Sequence, residues 1–242
     1  MPHNPRFVAL TQRVRQLYPH LGDPARAISD RLVRVDGVII TNSRSRISVA
    51  ATVTVAPPPA PPRGARKLAA GLDAFAVPVA GRVALDVGAS TGGFTHALLA
   101  AGARRVYAVD AGYGQLLGSL RLDDRVVNLE RTNLGVLSAA LVPDVIEIIT
   151  IDLSYLSLAR AAPQLEAVAI TANAELIALV KPMYELGLAH PPGEPELQAK
   201  AVALAAAAFE QAGWHARRSI RSPLTGRRGA VEYLLHVHRS HP

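Results

Sequence analysis

Cysteine is absent from this chain of 242 residues, and with it go disulfides, thiolate nucleophiles and zinc–thiolate sites. Lysine is nearly absent. Only Lys67, Lys181 and Lys200 stand among the 26 basic residues, the rest being arginine. No run reaches the roughly 18 uncharged apolar residues of a membrane-spanning helix. The longest apolar block, Ala199–Phe209, is shorter and contains Lys200. The start, Met1-Pro-His-Asn-Pro-Arg6, leads into a mixed charged segment without a signal peptide's apolar core. These absences make a cytoplasmic protein the expectation. No internal repeat is visible.

Half of the residues are hydrophobic and 19% are charged, enough for one sizeable core and a small appendage. The charge is unevenly placed. Residues 1–66 hold ten arginines and three acids, whereas residues 67–242 hold sixteen residues of each sign. A basic appendage on a neutral body suggests a polyanionic partner, most often nucleic acid. The plainer account is an arginine-rich composition shared with the host genome.

The Pro-rich run at 56–63 marks a boundary, because such a run favours an extended, semi-rigid spacer. Before it, Phe7, Leu10, Val14 and Leu17 fall at helical spacing and predict a helix over 7–17. A second short helix is expected over 24–32, a strand–turn–strand over 33–40, and one further strand over 47–55. Together they describe a small α+β domain of marginal core size. After the linker, helix 67–75 precedes an alternation. Strands are expected at 82–87, 105–109, 125–129, 145–151 and 175–180, with helices at 94–101, 114–121, 157–168 and 195–211. Strands at about 214–221 and 230–238 follow with no helix between them. The fold class is therefore α/β: a parallel sheet covered on both faces, with an antiparallel terminal strand pair.

The densest motif is Val83-Ala-Leu-Asp-Val-Gly-Ala-Ser-Thr-Gly-Gly-Phe-Thr95. It reads as a short apolar strand, a glycine turn and the first turn of a helix, a geometry that brings backbone N–H groups close to a nucleotide-like ligand. Asp110 ends the next strand, where an acid accepts hydrogen bonds from ribose hydroxyls. A dinucleotide motif places a glycine where this chain has Ser90, leaving less room for a pyrophosphate. An acid at the strand end with little room for phosphate suits S-adenosylmethionine better than a nicotinamide dinucleotide. A plain strand-to-helix turn needs fewer glycines and no flanking acids.

Three stretches carry a family resemblance: Leu85–Thr95, Gly102–Leu116 and Glu130-Arg-Thr-Asn133. They are joined by Ile151-Asp-Leu-Ser-Tyr-Leu-Ser-Leu158, Val180-Lys-Pro-Met-Tyr-Glu185 and Ser222-Pro-Leu-Thr-Gly226 with Glu232. Over roughly residues 30–238 the chain resembles the TlyA family of rRNA 2′-O-ribose methyltransferases, often labelled hemolysins. The resemblance implies an FtsJ-like, Rossmann-like class I methyltransferase domain over 64–242 and S-adenosylmethionine as cofactor. It also implies a divergent, basic alpha-L-like RNA-binding domain over 1–56, chiefly through Arg34-Val-Asp-Gly-Val-Ile-Ile40, with 57–63 as linker. RNA, as rRNA or a ribosomal subunit, is the implied partner.

By the same resemblance Lys67, Asp152, Lys181 and Glu232 correspond to the family's Lys-Asp-Lys-Glu catalytic tetrad. The residues support that independently. Where arginine is the habitual cation, a lysine offers a titratable amine. Lys181 and Asp152 fall at C-terminal strand ends, where open α/β sheets place their sites. Lys181 is expected to act as general base or to hold the developing alkoxide, with Asp152 and Glu232 orienting the lysines. Asp86, Gly88, Ser90, Thr91, Gly92, Gly93, Phe94 and Asp110 are the expected cofactor residues, with Asn133 toward the adenine. His236 and His238 share one face of the last strand and with His241 raise a metal site. No second ligand cluster accompanies them, so an exposed strand face is expected and no metal.

The chain departs from the family pattern in several places. Ala65 stands for a glycine before Lys67, Met183-Tyr184 for Gln-Phe, and Ala230 for an asparagine before Glu232. A proline-containing segment, 186–195, replaces a glycine-rich basic loop. These changes leave a second reading, an inactive RNA-binding paralogue that keeps the cofactor fold. A membrane-active hemolysin lacks any spanning or strongly amphipathic segment to support it.

Overall fold

Alternation of apolar residues along the strands decides where the protein's side chains go, and the computed structural model describes residues 6–57 and 60–239. The chain divides into two compact units, Met1–Ala60 and Pro61–Pro242.

In the first unit, β1 (Phe7–Ala9) runs straight into α1 (Leu10–Leu17). The expected helix over 7–17 thus loses its first turn to a strand, because β1 pairs antiparallel with β4 (Arg46–Ser48). α2 (Pro24–Ser29) starts on a Pro and is capped by Asp23, whose Oδ1 accepts the Ala25 and Arg26 N–H groups at 3.0 and 3.1 Å. β2 (Val33–Val35) and β3 (Val38–Ile39) form a hairpin whose two turn residues, Asp36 and Gly37, are both left-handed. β5 (Val53–Val55) joins on the other side of β2. The single strand expected over 47–55 is therefore two strands belonging to different sheets. Leu10, Val14, Ile28, Val33 and Val53 are among the buried residues of this small core. Seven arginines, Arg6, Arg15, Arg26, Arg31, Arg34, Arg44 and Arg46, are exposed around it. Of these only Arg26 has an acid at ion-pair distance among the described residues, Asp30 at 3.5 Å.

The second unit opens with α3 (Arg63–Phe75), then β6 (Val83–Val87), α4 (Gly93–Ala100), β7 (Arg105–Asp110), α5 (Gly118–Arg121) and β8 (Val126–Glu130). β9 (Ile146–Ile151), α6 (Leu158–Ala161), β10 (Ile170–Val180), α7 (Pro182–Glu185) and α8 (Pro195–Gln211) follow, then β11 (His215–Arg221) and β12 (Tyr233–His238). The seven strands of the sheet are ordered β11-β12-β10-β9-β6-β7-β8. β6 to β10 pair in parallel, and β12 lies antiparallel between β10 and β11. This is the Rossmann-like sheet with an antiparallel terminal strand pair that the sequence led us to expect. The helix expected over 114–121 is shortened to α5. Its first residues are instead held as a loop by Glu130, whose Oε1 accepts the Gln115 and Leu116 N–H groups at 2.8 and 3.2 Å. The helix expected over 157–168 tightens after α6 into a 3₁₀ turn at Ala162–Ala167, which contains Pro163.

Period-two alternation splits the sheet's apolar residues between two layers. Leu85, Ile149, Leu176, Ala178, Leu235 and Val237 share one layer with Ala201, Ala205 and Phe209 of α8 and with Trp214. Ala84, Ile148, Ile177, Leu179 and Leu234 face α3 and α4. His236 shares this second face. It is buried rather than exposed, its ring stacked on Phe75 at 5.1 Å and its Nε2 2.6 Å from Glu175 Oε2. Among the described residues no group of three or more His, Asp or Glu could hold a metal; His241 lies outside them.

Two local contacts fix the elements that carry the site. α3 and α4 meet at Gly64 and Gly93, where a Cβ on Gly93 would stand 2.9 Å from Gly64 Cα. α7 is held to α6 by Glu185, whose Oε1 and Oε2 both lie 3.1 Å from the Leu158 N–H. Burial pushes the Glu185 carboxyl up to about 7, against the pull of that hydrogen bond.

Gly93→Ala should therefore destabilise the protein by about 1–3 kcal/mol in urea unfolding, reversing the ~0.5–1 kcal/mol that Ala normally gains over Gly within a helix. Because the folded state disfavours ionised Glu185, it loses stability as pH rises from the ordinary carboxylate range through about 7, and the loss levels off above that. Glu185→Gln should remove that loss, roughly 1–2 kcal/mol for a carboxyl still partly open to solvent, and unfolding midpoints at pH 5 and 8 would then differ less than in the parent.

Candidate active site

Strand parity brings four separate motifs to one place. Asp152 follows β9 in step with Ile148 and Thr150, and Lys181 follows β10 in step with Ile177 and Leu179. Glu232 precedes β12 in step with Leu234. All three positions fall on the α3 face, at the C-terminal edge of the parallel strands. α3 itself supplies Lys67.

The four residues form two lysine–carboxylate pairs. Lys67 Nζ donates to Glu232 Oε2 at 2.5 Å, with 11% and 6% of the two side chains exposed. Lys181 Nζ lies 2.6 Å from Asp152 Oδ1 and donates to Ser154 Oγ at 2.7 Å. Buried charges persist only when paired in this way. All four line one cavity of about 710 Å³, together with Gly88, Ser90, Ser154 and Tyr184. Ala189 and Pro191 of the divergent 186–195 segment form part of its wall. Gln198 fixes that segment through the Pro192 and Gly193 carbonyls, at 3.1 and 3.3 Å.

The glycine turn is joined to this cavity by contact. Gly88 is left-handed at φ 83°, and a Cβ there would collide with the Asp152 carbonyl. Ser90 is also left-handed, at φ 49°. Its N–H donates to Asp110 Oδ2 at 2.7 Å, and the Gly112 N–H donates to Asp110 Oδ1 at 2.6 Å. Each carboxylate oxygen keeps a lone pair for a further donor such as a ribose hydroxyl. The Thr132 N–H donates to the Asp110 carbonyl at 2.9 Å, which places the exposed Asn133 next along the same rim. Glu130 braces this rim; hydrogen bonds from the Leu116, Gln115 and Gly114 N–H groups and from Asn128 outweigh its burial and hold its carboxyl down at about 2.

Three expected cofactor residues are placed otherwise. Asp86 has no exposed surface, and its oxygens accept the Thr95 and Thr150 hydroxyls at 2.6 and 2.9 Å. Burial pushes its carboxyl up to about 6 against those bonds. It ties β6, β9 and α4 together beneath the turn and offers nothing to a ligand. Phe94 is buried among α3 and α4, and Gly93 serves the contact with Gly64. Gly92 turns the chain at φ 93° against Leu116 and Leu120, whereas Thr91 is exposed. Lys200 is exposed on α8, away from the cavity lining.

Sequence reasoning passed over Ser154, Arg63 and Gly226. Ser154 lies two residues after Asp152, so its hydroxyl was a readable signal. Arg63 Nη2 donates to the Thr225 carbonyl at 2.9 Å, binding the start of α3 to the β11–β12 loop. Gly226 packs directly on the Glu232 carboxylate, leaving no space for a Cβ.

Comparison with known proteins identifies the family. A family model described as FtsJ-like methyltransferase matches residues 61–239. The 16S/23S rRNA (cytidine-2′-O)-methyltransferase TlyA of Mycobacterium tuberculosis is 43% identical over 211 residues, which span 84% of this chain and 78% of that one. Hemolysin A of Brachyspira hyodysenteriae is 34% identical over 181 residues, 72% of this chain and 75% of its own. A solved structure from Streptococcus thermophilus, provisionally named a hemolysin, superposes with a TM-score of 0.71 at 29% identity, covering 90% of this chain and 82% of that one. Among the described residues no helix is long and apolar enough to cross a membrane. By sequence over most of its length, this chain belongs to the FtsJ-like methyltransferase family, among the TlyA rRNA methyltransferases.

Proposed function

We propose that the protein methylates the 2′-hydroxyl of a cytidine in ribosomal RNA, in the cytoplasm, with Lys67, Asp152, Lys181 and Glu232 as its catalytic group. The observation that carries this reading is the single cavity in which both lysine–carboxylate pairs adjoin the Gly88–Ser90 turn. The cytidine comes from the name of the Mycobacterium relative. The exposed, unpaired arginines of the first unit suit sequence-independent contact with RNA phosphates, as expected of an alpha-L-like domain.

S-adenosylmethionine, the donor used here, supplies an electrophilic methyl group. The residues present fit it. Gly88 lets the backbone approach without a Cβ, and Asp110 retains an acceptor lone pair on each oxygen for the ribose hydroxyls. Asn133 and the exposed Thr91 complete the rim on which we place the nucleoside.

A ribose hydroxyl is a weak nucleophile until its proton is removed. In its neutral amine form, after release of a proton to solvent, Lys181 Nζ takes the hydroxyl proton, and Asp152, 2.6 Å away, stabilises the ammonium that forms. Ser154 fixes the direction of Nζ. Lys67, held by Glu232, supplies positive charge toward the developing alkoxide. Alignment of the hydroxyl with the methyl group does the rest, because transfer needs no covalent enzyme intermediate.

Lys181→Ala should lower methyl transfer from labelled S-adenosylmethionine to ribosomal RNA or subunits by about 10²–10⁴-fold, whereas Lys200→Ala should leave it unchanged. Mapping of 2′-O-methyl positions in ribosomal RNA with and without the gene identifies the target. RNA binding without transfer to any RNA would instead support the inactive paralogue. Asp110→Ala should weaken S-adenosylmethionine binding about 10–100-fold by calorimetry, from loss of charge-assisted hydrogen bonds and of the loop they order.

A further inference from the structure

The two lysine–carboxylate pairs compensate one another, yet three arginines also line the catalytic cavity: Arg63, Arg227 and Arg228. None of them has an acid at ion-pair distance among the described residues. Residues 215–231 contain five arginines and no acid, within a span, 67–242, whose sixteen basic and sixteen acidic residues balance only as a whole. Arginines along β11 itself have an adequate explanation, since charge on an edge strand blocks pairing with other sheets. Arg217 is also engaged with His238 at 3.0 Å, and Arg218 lies 5.2 Å over the Phe75 ring.

That explanation does not reach Arg227 and Arg228, which lie beyond the strand in the loop before β12. The loop is well anchored. Besides the Arg63–Thr225 bond, the Gly226 N–H donates to the Ala230 carbonyl at 2.7 Å and Ser222 Oγ donates to the Leu224 carbonyl at 2.8 Å. Arg228 adopts φ 55° followed by Gly229 at φ 75°, a turn that a non-glycine residue rarely makes. The chain thus holds two exposed guanidinium groups at the rim of the cavity that contains Lys181.

The chemistry of the substrate gives them a use. In RNA the 2′-hydroxyl is vicinal to the carbon bearing the 3′-phosphate, so a ribose presented to Lys181 carries a phosphate to the cavity rim. Both lysines already have carboxylate partners, and a guanidinium fork matches phosphate oxygens in pairs. We infer that Arg227 and Arg228 clamp the backbone phosphates flanking the target nucleotide and so position its ribose.

The inference rests on the RNA reading above, and the test separates the two. The full chain is prepared as parent, as the double variant Arg227→Gln/Arg228→Gln, and as Arg227→Lys/Arg228→Lys. Transfer kinetics on ribosomal RNA are measured at saturating S-adenosylmethionine, and RNA affinity is measured across a salt series. The Gln variant should raise KM for RNA tenfold or more with kcat within about twofold and cofactor affinity unchanged. Its plot of log Kd against log salt should flatten by about 0.7 for each lost single-strand phosphate contact. The Lys variant should restore the slope, since it keeps the charge. Unchanged KM and slope would overturn the clamp, as would a fall in kcat at constant KM or a loss of cofactor affinity. A parent that transfers methyl groups to no RNA would overturn the functional reading, while the salt series, which needs no turnover, would still decide the role of the arginines.

Discussion

Gly88 and Asp152 touch backbone to backbone, and the site depends on that contact. The carbonyl of Asp152 occupies the space where any other residue at position 88 would carry a Cβ. One edge of the contact is the turn on which we place the nucleoside, and the other is the strand end that carries Asp152, a member of the proposed catalytic group. Turn and strand end are therefore set relative to one another by main chain, which moves little, rather than by flexible side chains. Asp86 reinforces the arrangement from below. It is buried, and it takes hydroxyl hydrogen bonds from both α4 and β9, at the cost of a carboxyl held in a low-dielectric interior. A group that joins three elements at their meeting point stiffens the turn from within the core.

The electrostatics divide into a compensated interior and an uncompensated margin. Inside the cavity each lysine has a carboxylate at 2.5 or 2.6 Å, so desolvation is offset locally and the four groups carry no net charge. Among the described residues, Arg63, Arg227 and Arg228 at the cavity lack such partners, and so do the exposed arginines of the first unit other than Arg26. On the proposed reading, a polyanion is attracted by these arginines, where water screens and weakens each contact, and meets the lysine amines only where their own partners already fix their direction. The separation would let general attraction and specific chemistry be carried by different residues.

Much of this was legible in the sequence, for a physical reason. Strands buried on both faces read as apolar runs, and their C-terminal ends are where such sheets place polar side chains, so Asp152 and Lys181 could be located from pattern and composition. Lys67 and Glu232 needed the family resemblance, since a lysine in a helix and an acid before an edge-proximal strand have no periodic signature. The glycine turn was readable, but not the division of labour inside it. Asp86 and Asp110 look alike in sequence as acids at strand ends. Only three dimensions show that Thr95 and Thr150 enclose the first, while the second faces outward with acceptor capacity to spare. Gly93 and Phe94 likewise look like ligand-approach residues until α3 is seen to cross over them. His236 was read as exposed because the partners that bury it, Phe75 and Glu175, lie far away along the chain.

The scarcity of lysine acquires meaning at this site. Elsewhere the chain satisfies its need for positive charge with arginine, whose planar fork demands several acceptors and which keeps its proton throughout the physiological range. Neither property suits the cavity. Lys181 presents one nitrogen to both Asp152 and Ser154, and Lys67 meets the Glu232 carboxylate, against which Gly226 packs with no room for a Cβ. An arginine at either position would add a second nitrogen arm and, on the mechanism proposed above, would bar proton exchange with a ribose hydroxyl. Two of the three lysines therefore stand where the geometry, and the proton transfer we propose, both disfavour the chain's preferred cation.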